Sequence, residues 1–251
     1  MNMKLLEVCV DSLTSARNAI AGGADRLELC SALIAGGLTP YAGLLDQIRA
    51  ESDIPIRCLM RPRAGDFLYD PEEIDMMAKQ IRVLKAAGAD GFVIGCLTKV
   101  GDLDEDAMRK LTGAADGAGL TLHRCIDVSR DPFETYRTAG KLGIDTVLTS
   151  GAASNCILGL PTIGQLLELR DEIDGPEVLI GAGVKAEVIR SIRAWYPFAR
   201  AFHASCKTDA ESAMIFRREG VPMGLPGLDE WHIPTTSREA VAAARAALYE
   251  I

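Results

Sequence analysis

This sequence has no run of basic residues and no long apolar segment. Its 27 Lys and Arg are outnumbered by 35 Asp and Glu, for a formal net charge of −8, so the basic face typical of a nucleic-acid-binding protein is not expected. No apolar run approaches the roughly 18 residues of a membrane span. The N-terminal residues enter a predicted strand directly and lack the hydrophobic region and cleavage site of a signal peptide. These observations predict a cytoplasmic protein with neither nucleic acid nor membrane as a partner.

Several motifs that would identify common sites are also missing. The seven cysteines are scattered and no two have Cys-x-x-Cys spacing, which argues against a disulfide scaffold and against a zinc ribbon. No Gly-x-Gly-x-x-Gly follows the first predicted strand, which disfavours a dinucleotide-binding sheet. Aromatic residues make up only 5% of the chain, so its core is expected to be aliphatic.

What is present is a strict alternation of strand and helix patterns. The predicted strands cover residues 5–10, 26–30, 54–60, 91–95, 120–126, 146–149, 177–180 and 199–203. The predicted helices cover 13–21, 41–51, 71–87, 104–117, 132–142, 162–171, 185–195 and 237–249, with Ser12 and Thr39 as caps of the first two. Eight βα units in 251 residues predict one TIM (β/α)8 barrel domain spanning residues 1–251.

A weak internal repeat supports closure of the barrel. Gly23-Ala24-Asp25, Gly88-Ala89-Asp90 and Gly143-Ile144-Asp145 each lie between a predicted helix and the next strand. Glycine at such a position supplies the left-handed conformation that ends a helix before an abrupt turn. An even repeat of this kind favours a barrel over an open sheet.

The first two strands carry polar residues on one face. Alternation places Leu6, Val8 and Val10 on one side of the first strand and Leu27 and Leu29 on one side of the second. The opposite sides carry acids, thiols and one arginine: Glu7, Cys9 and Asp11, then Arg26, Glu28 and Cys30. Because helices cover a parallel sheet, this polar face must line an interior or a site.

Further candidate residues occur at the carboxyl ends of later strands, where barrel enzymes place their chemistry. Arg61 and Arg63 are forked cations suited to clamping an anion. Gly181 and Gly183, beside Ser205 and with Ser150 nearby, offer backbone N–H groups and hydroxyls for an anion after the last strands. His123 is expected to share a face with Cys125 and Asp127, so that the carboxylate orients the imidazole.

The acids and thiols of the first two strands each allow two interpretations. Glu7 and Glu28 cannot both ionise cheaply in a closed interior without a cation, so either one is protonated or both are paired with a metal or with an arginine such as Arg61 or Arg124. Adjacent parallel strands lie about 4.8 Å apart, so thiolates of Cys9 and Cys30 on neighbouring strands could share Cu(I). The alternative is that both are ordinary buried cysteines.

The segment 207–234, between the last strand and the last helix, is long for such a connection. Loops of this length are usually lids, interfaces or mobile segments. Its apolar residues Leu225, Trp231 and Ile233 predict burial against the barrel mouth or against another subunit.

Several of these motifs together resemble the copper homeostasis protein CutC family. The similar segments are residues 7–9, 25–30, 36–40, 60–67, 122–127, 147–151, 181–184 and 203–205. The Arg61-Pro62-Arg63 and His123-Arg124 motifs are the most specific, and the similarity extends from about residue 4 to residue 225. The resemblance implies a TIM barrel, a cytosolic homo-oligomer and a role in copper handling, with Cu(I) on Cys9 and Cys30.

Two functions are therefore carried forward. The first is copper homeostasis through Cu(I) binding at the two cysteines. The alternative is an enzyme that acts on a small anionic or carbohydrate-like substrate, with Glu7, Glu28, Arg61, His123, Asp127 and His203 as its site. Oxygen and imidazole ligands in that set would also suit a divalent metal.

Overall fold

Eight parallel strands close into a barrel in the order of the sequence, in a computed structural model that describes residues 4–218, 220–221 and 229–250. Strands β1–β8 are Leu5–Val10, Arg26–Leu29, Ile56–Leu59, Gly91–Ile94, Gly119–Leu122, Thr146–Thr149, Glu177–Ile180 and Ala201–Ala204. Helices α1–α8 are Leu13–Gly22, Ala42–Arg49, Pro71–Ala86, Glu105–Ala115, Pro132–Lys141, Leu160–Ile173, Ala186–Trp195 and Arg238–Tyr249. Strand β8 pairs with β1, which confirms the predicted TIM barrel.

Local sequence explains where the helices begin. At the start of α3, the Asp70 carboxylate accepts a hydrogen bond from the N–H of Glu73, and the Glu73 carboxylate accepts one from the N–H of Asp70. This pair is a capping box, and Pro71 occupies the first helical position. The expected apolar face of α3 is buried, with Ile74 and Met77 among its members. Ser12 caps α1 as predicted, because its hydroxyl accepts the N–H of Ser15.

The repeated Gly-x-Asp segments lie at the amino-terminal end of the barrel. Gly23, Gly88 and Gly143 all have positive φ, as their position after a helix requires. The aspartates that follow accept the backbone N–H of the preceding odd-numbered strand: Asp25 from Leu6, Asp90 from Ile56 and Asp145 from Leu120. The repeat therefore ties neighbouring strands together at the end of the barrel opposite the candidate site.

The two faces of β1 divide as the alternation predicts. Leu6, Val8 and Val10 are fully buried in the main core, which fills the space between the barrel and its helices. Cys9 belongs instead to a small cluster inside the barrel with Cys30, Leu59 and Val93, contributed by the first four strands. The thiols of β1 and of the residue after β2 therefore point into the barrel.

Two local expectations were wrong. The cap of α2 is Tyr41, without a side-chain hydrogen bond, while the hydroxyl of Thr39 accepts the N–H of Arg61. Strand β5 ends at Leu122 and is followed by a 3-10 helix, Arg124–Val128, for which His123 is the cap. The apolar alternation predicts a continuous strand through residue 126 and does not reveal this turn.

The segment 207–234, predicted as a long connection after β8, contains strand residues at both of its ends. Strands β9 (Lys207–Glu211) and β10 (His232–Thr236) form a separate antiparallel pair. All five residues of β9 are exposed. Trp231 is half-buried and Ile233 is exposed, so Ile233 does not pack against the barrel mouth, while burial against another subunit stays a prediction. Leu225 lies outside the described residues. Among the described residues, no helix is long and apolar enough to cross a membrane.

Candidate metal centre at the mouth of the barrel

The register of three strands brings the key side chains together. Glu7 on β1 lies opposite Arg26 on β2 and His203 on β8, and Cys9 lies opposite Glu28. Since β1 is the strand between β8 and β2, residues distant in sequence meet at the strand that closes the barrel. The predicted convergence of the acids and thiols of the first two strands is present, with His203 added to it.

One group of ligand atoms is compact enough to hold a metal ion. An Sγ, a carboxylate oxygen and an imidazole nitrogen from Cys9, Glu28 and His203 all lie within 4.8 Å of one another. Cys9 and Glu28 are buried, and the His203 side chain is 12% exposed. Sulfur and imidazole ligands suit Cu(I) or Zn²⁺ better than the hard cations Mg²⁺ and Ca²⁺.

Glu7 fixes the orientation of His203. One carboxylate oxygen of Glu7 lies 2.8 Å from His203 Nδ1, and the other accepts a hydrogen bond of 2.5 Å from Arg26 Nε. Because Nδ1 faces Glu7, Nε2 faces the rest of the cluster, 3.8 Å from Glu28 Oε2. A carboxylate behind a histidine is the usual arrangement around a metal-binding imidazole.

Charge pairing sets the protonation of this network. Burial alone would raise the pKa of Glu7, but Arg26 and His203 lower it to about 2. Burial likewise opposes charge on His203, yet the charges of Cys9 and Glu28 and its hydrogen bonds raise its pKa well above the usual value. Arg26 and His203 therefore neutralise Glu7, and the arginines expected for that role, Arg61 and Arg124, do not.

Cys30 contacts the same Glu28 oxygen that lies 3.8 Å from His203 Nε2. Its thiol donates to Glu28 Oε2 over 3.3 Å. Burial, and then the charge of Glu28, raise the pKa of the Cys30 thiol well above its usual value. Burial also raises the pKa of Glu28, against the opposing charge of His203. Cys30 is thus held as a thiol whose proton points at a carboxylate with increased basicity.

A cavity of about 380 Å³ opens onto this cluster. It is lined by Cys9, Glu28 and His203 and also by Arg61, Phe67, His123, Arg124 and Lys207. Its volume is in the range of small-molecule sites in proteins. Five of the six residues predicted for an enzyme site lie in or next to it, since Glu7 contacts His203 directly.

The sixth, Asp127, has a different role. Its carboxylate accepts the N–H groups of Ser150 and Ala152 and the hydroxyl of Thr149, and it pairs with Arg124. It does not orient His123, because the 3-10 turn carries it toward the end of β6. The Nδ1 of His123 instead accepts the N–H of Cys125.

The residues predicted to bind an anion are divided among several places. Arg63 donates to Asp66 and Glu73 and is not part of the cavity lining. The hydroxyl of Ser150 donates to the Ala153 carbonyl or to Asp127, and accepts from Arg124. At Gly181 the Leu148 side chain fills the space beside the backbone, since a Cβ added there would lie 2.6 Å from Leu148 Cδ1. Gly183 and Ser205 line an adjoining cavity of about 490 Å³.

Three contributors to the site were not identified from the sequence. Arg26 was recognised only as a member of the polar strand face, although alternation with Glu28 and Cys30 was a signal that it points inward. Phe67 packs against His123, with ring centroids 4.7 Å apart and the ring planes tilted by 40°. Lys207 lies at the start of β9, and nothing in the sequence indicates that it reaches the cavity.

A parallel eight-stranded barrel with a thiol, carboxylate and imidazole cluster at its mouth describes a TIM-barrel protein with a candidate metal site. The model of the CutC family matches residues 4–207. This chain belongs to the CutC family.

Two relatives with CutC names support this family assignment. The chain is 41% identical to a copper homeostasis protein cutC homolog of Mus musculus over 221 residues, or 88% of this chain and 80% of that one. It is 40% identical to a family protein CutC of Porphyromonas gingivalis (strain ATCC 33277), over 95% of this chain and 96% of the other.

Solved structures support the same fold. A CutC crystal structure from Streptococcus agalactiae matches with a TM-score of 0.75 and 28% identity, covering 81% of this chain and 99% of that one. A 2,3-dimethylmalate lyase matches with a TM-score of 0.56 and 16% identity, covering 81% and 74% of the two chains. The latter similarity is one of fold alone.

Proposed function

We propose that this protein handles copper by binding Cu(I) at the barrel mouth through Cys9, Cys30 and His203. The observation that carries the proposal is the compact cluster of Cys9, Glu28 and His203, with the thiol of Cys30 directed at Glu28. Thiolate and imidazole ligands match the preference of Cu(I). The relatives named as copper homeostasis proteins support copper as the metal.

The neighbouring acids have distinct parts in this proposal. A thiol must lose its proton to become a metal ligand, so binding releases protons. Glu28 accepts the Cys30 proton, because it already forms the hydrogen bond and its pKa is raised by burial. Glu7 stays behind His203 at Nδ1 and directs Nε2 at the ion, and because the pKa of His203 is raised, this ring must also release its Nε2 proton when the ion binds. Copper is the cargo here, and the chain supplies the site.

The test is an anaerobic Cu(I) titration in competition with a chromophoric chelator. Cys9→Ser, Cys30→Ser and His203→Gln should each weaken binding at least tenfold, or about 1.4 kcal/mol. Cys58→Ser is the matched control, because this thiol is equally buried but packs in the main core outside the barrel. Wild-type stoichiometry and affinity in a Cys9→Ser/Cys30→Ser double variant would refute the proposal.

We also propose a cytoplasmic homo-oligomer. All seven cysteines are free, which fits a reducing compartment. The connection between β9 and β10 exposes Met214, Ile215 and Phe216, and Ile215 is 99% exposed. Exposed apolar residues beside two unpaired strand edges are suited to packing on a second copy of the chain. Light scattering should give a mass of two or more chains, reduced by Ile215→Glu but not by Val100→Glu at another exposed site.

A further inference from the structure

The cavity at the barrel mouth contains hydrogen-bond donors that the metal proposal does not use. Among the buried side-chain atoms of the described residues, the Nε2 of His123 and the Nε of Arg61 have no hydrogen-bond partner. Both residues line the 380 Å³ cavity. Buried polar atoms are nearly always satisfied in folded proteins, so two unsatisfied donors in one cavity call for an explanation.

The proton of His123 has a defined position. Its Nδ1 accepts the N–H of Cys125 over 3.2 Å, so in the neutral ring the proton is on Nε2. Burial, and then the positive charge of Arg61, lower the pKa of His123 to about 3, which keeps the ring neutral near pH 7. His123 therefore presents an N–H donor, and its side chain is only 5% exposed.

Arg61 is held in place without an acidic partner. Its Nη1 donates to the carbonyls of Ala35 and Gly37, and its Nη2 donates to that of Gly65. In the described part of the chain, the acceptors of this guanidinium are all backbone carbonyls and none is a carboxylate, although the chain as a whole carries a net charge of −8. Within that part of the chain, its positive charge has no anionic partner, and its buried Nε–H has no acceptor.

The two donors are parts of one rigid arrangement. Phe67 contacts both side chains, because its ring centroid lies 4.7 Å from that of His123 and 5.4 Å from Arg61 Cζ. Gly95 leaves room for the imidazole, since a Cβ there would lie 2.5 Å from His123 Cε1. A fixed pair of donors with little rotamer freedom is pre-organised for binding.

We propose that this cavity binds a small oxyanion, the carboxylate or phosphate group of a small molecule, through His123 Nε2 and Arg61 Nε. A neutral N–H donor beside a guanidinium calls for an acceptor that is negatively charged. Lys207 lines the same cavity and adds positive charge, whereas the charge of Arg124, which also lines it, is paired with Asp127. The site lies beside the cluster of Cys9, Glu28 and His203 but uses none of those residues, so it does not depend on bound copper.

The experiment uses the metal-free full chain with its histidines labelled with ¹⁵N. Inorganic phosphate and malonate are the two probes, and each is added to saturation while the imidazole signals are followed. The ring of His123, assigned by the loss of its signal in His123→Asn, should be protonated at Nε2 and should shift saturably. A response to phosphate alone assigns a phosphate ligand, and a response to malonate alone assigns a carboxylate. The absence of a saturable shift with either probe overturns the proposal.

Variants give an independent readout by calorimetry. Asparagine at position 123 can still cap the 3-10 helix but is too short to replace the Nε2 donor. His123→Asn and Arg61→Gln should each weaken probe binding at least tenfold. Arg63→Gln is the matched control, because it removes the same charge from the same loop at a guanidinium outside the cavity lining. An equal loss in Arg61→Gln and Arg63→Gln would mean non-specific attraction and would overturn the proposal. Intact Cu(I) binding in His123→Asn would show that the two sites are separate.

Discussion

The substitution Glu7→Gln tests whether the buried charge network supports the fold. The Glu7 side chain is completely buried, and its two oxygens contact Arg26 Nε at 2.5 Å and His203 Nδ1 at 2.8 Å. Glutamine keeps the size of the side chain and removes its charge. It leaves Arg26, whose side chain is 10% exposed, without its anionic partner.

The expected effect is large. Removing one member of a buried ion pair costs about 3–5 kcal/mol, because the remaining charge is uncompensated. In a chain of this size, 1 kcal/mol corresponds to about 2–4 °C in melting temperature, so a decrease of about 6–20 °C is expected. The same substitution in the exposed Arg17–Glu51 pair, Glu51→Gln, should leave the melting temperature unchanged.

The pH dependence of stability gives a second measurement. The folded pKa of Glu7, about 2, lies below its usual value of 4.5. Its ionised form therefore stabilises the fold fully above pH 4.5, and this stabilisation is lost as the pH falls toward 2. The difference in free energy of unfolding between wild type and Glu7→Gln, measured by urea denaturation, should narrow over that interval.

A double variant separates loss of charge pairing from loss of packing. In Glu7→Gln/Arg26→Met both partners are neutral, so part of the lost stability should return, with a coupling of about 0.5–3 kcal/mol. The reasoning is wrong if Glu7→Gln is as stable as wild type, or if the double variant is less stable than either single variant.

Three further predictions concern other parts of the structure. Gly95→Ala places a Cβ 2.5 Å from Cys125 Sγ and should destabilise the fold by about 1–3 kcal/mol. Gly113→Ala, in α4, has open space around the added Cβ and should stabilise the fold. Thermal unfolding measures the effect of both substitutions. Asp127→Asn weakens the acceptor of several bonds at the end of β6 and should lower stability by about 1–3 kcal/mol without changing Cu(I) affinity; a loss of affinity would contradict the separation of Asp127 from the metal cluster. Tyr136→Phe removes a buried bond to the Pro176 carbonyl and should cost about 1–2 kcal/mol in urea denaturation, and an unchanged midpoint would show that the bond contributes nothing.

Much of the fold was predictable because it depends on local patterns. The alternation in β1 fixed which side chains face the helices, and the spacing of Ile74 and Met77 fixed the buried face of α3. The end of β5 was not predictable in this way. Asp127 forms its bonds to residues 149–152 of the following strand and loop, and apolar alternation alone does not encode such a contact.

The sequence by itself determined the barrel and the inward direction of Glu7, Cys9 and Glu28. Successive side chains of a strand point to opposite faces, and because helices cover the outer face of the sheet, the polar face must point into the barrel. Only the tertiary structure decided which charges meet there. Closure of β8 onto β1 brings His203 to Glu7 across 196 residues of the sequence, and the register of β1 with β2 gives Glu7 the partner Arg26. These partners follow from strand order and register, which depend on how the whole barrel packs.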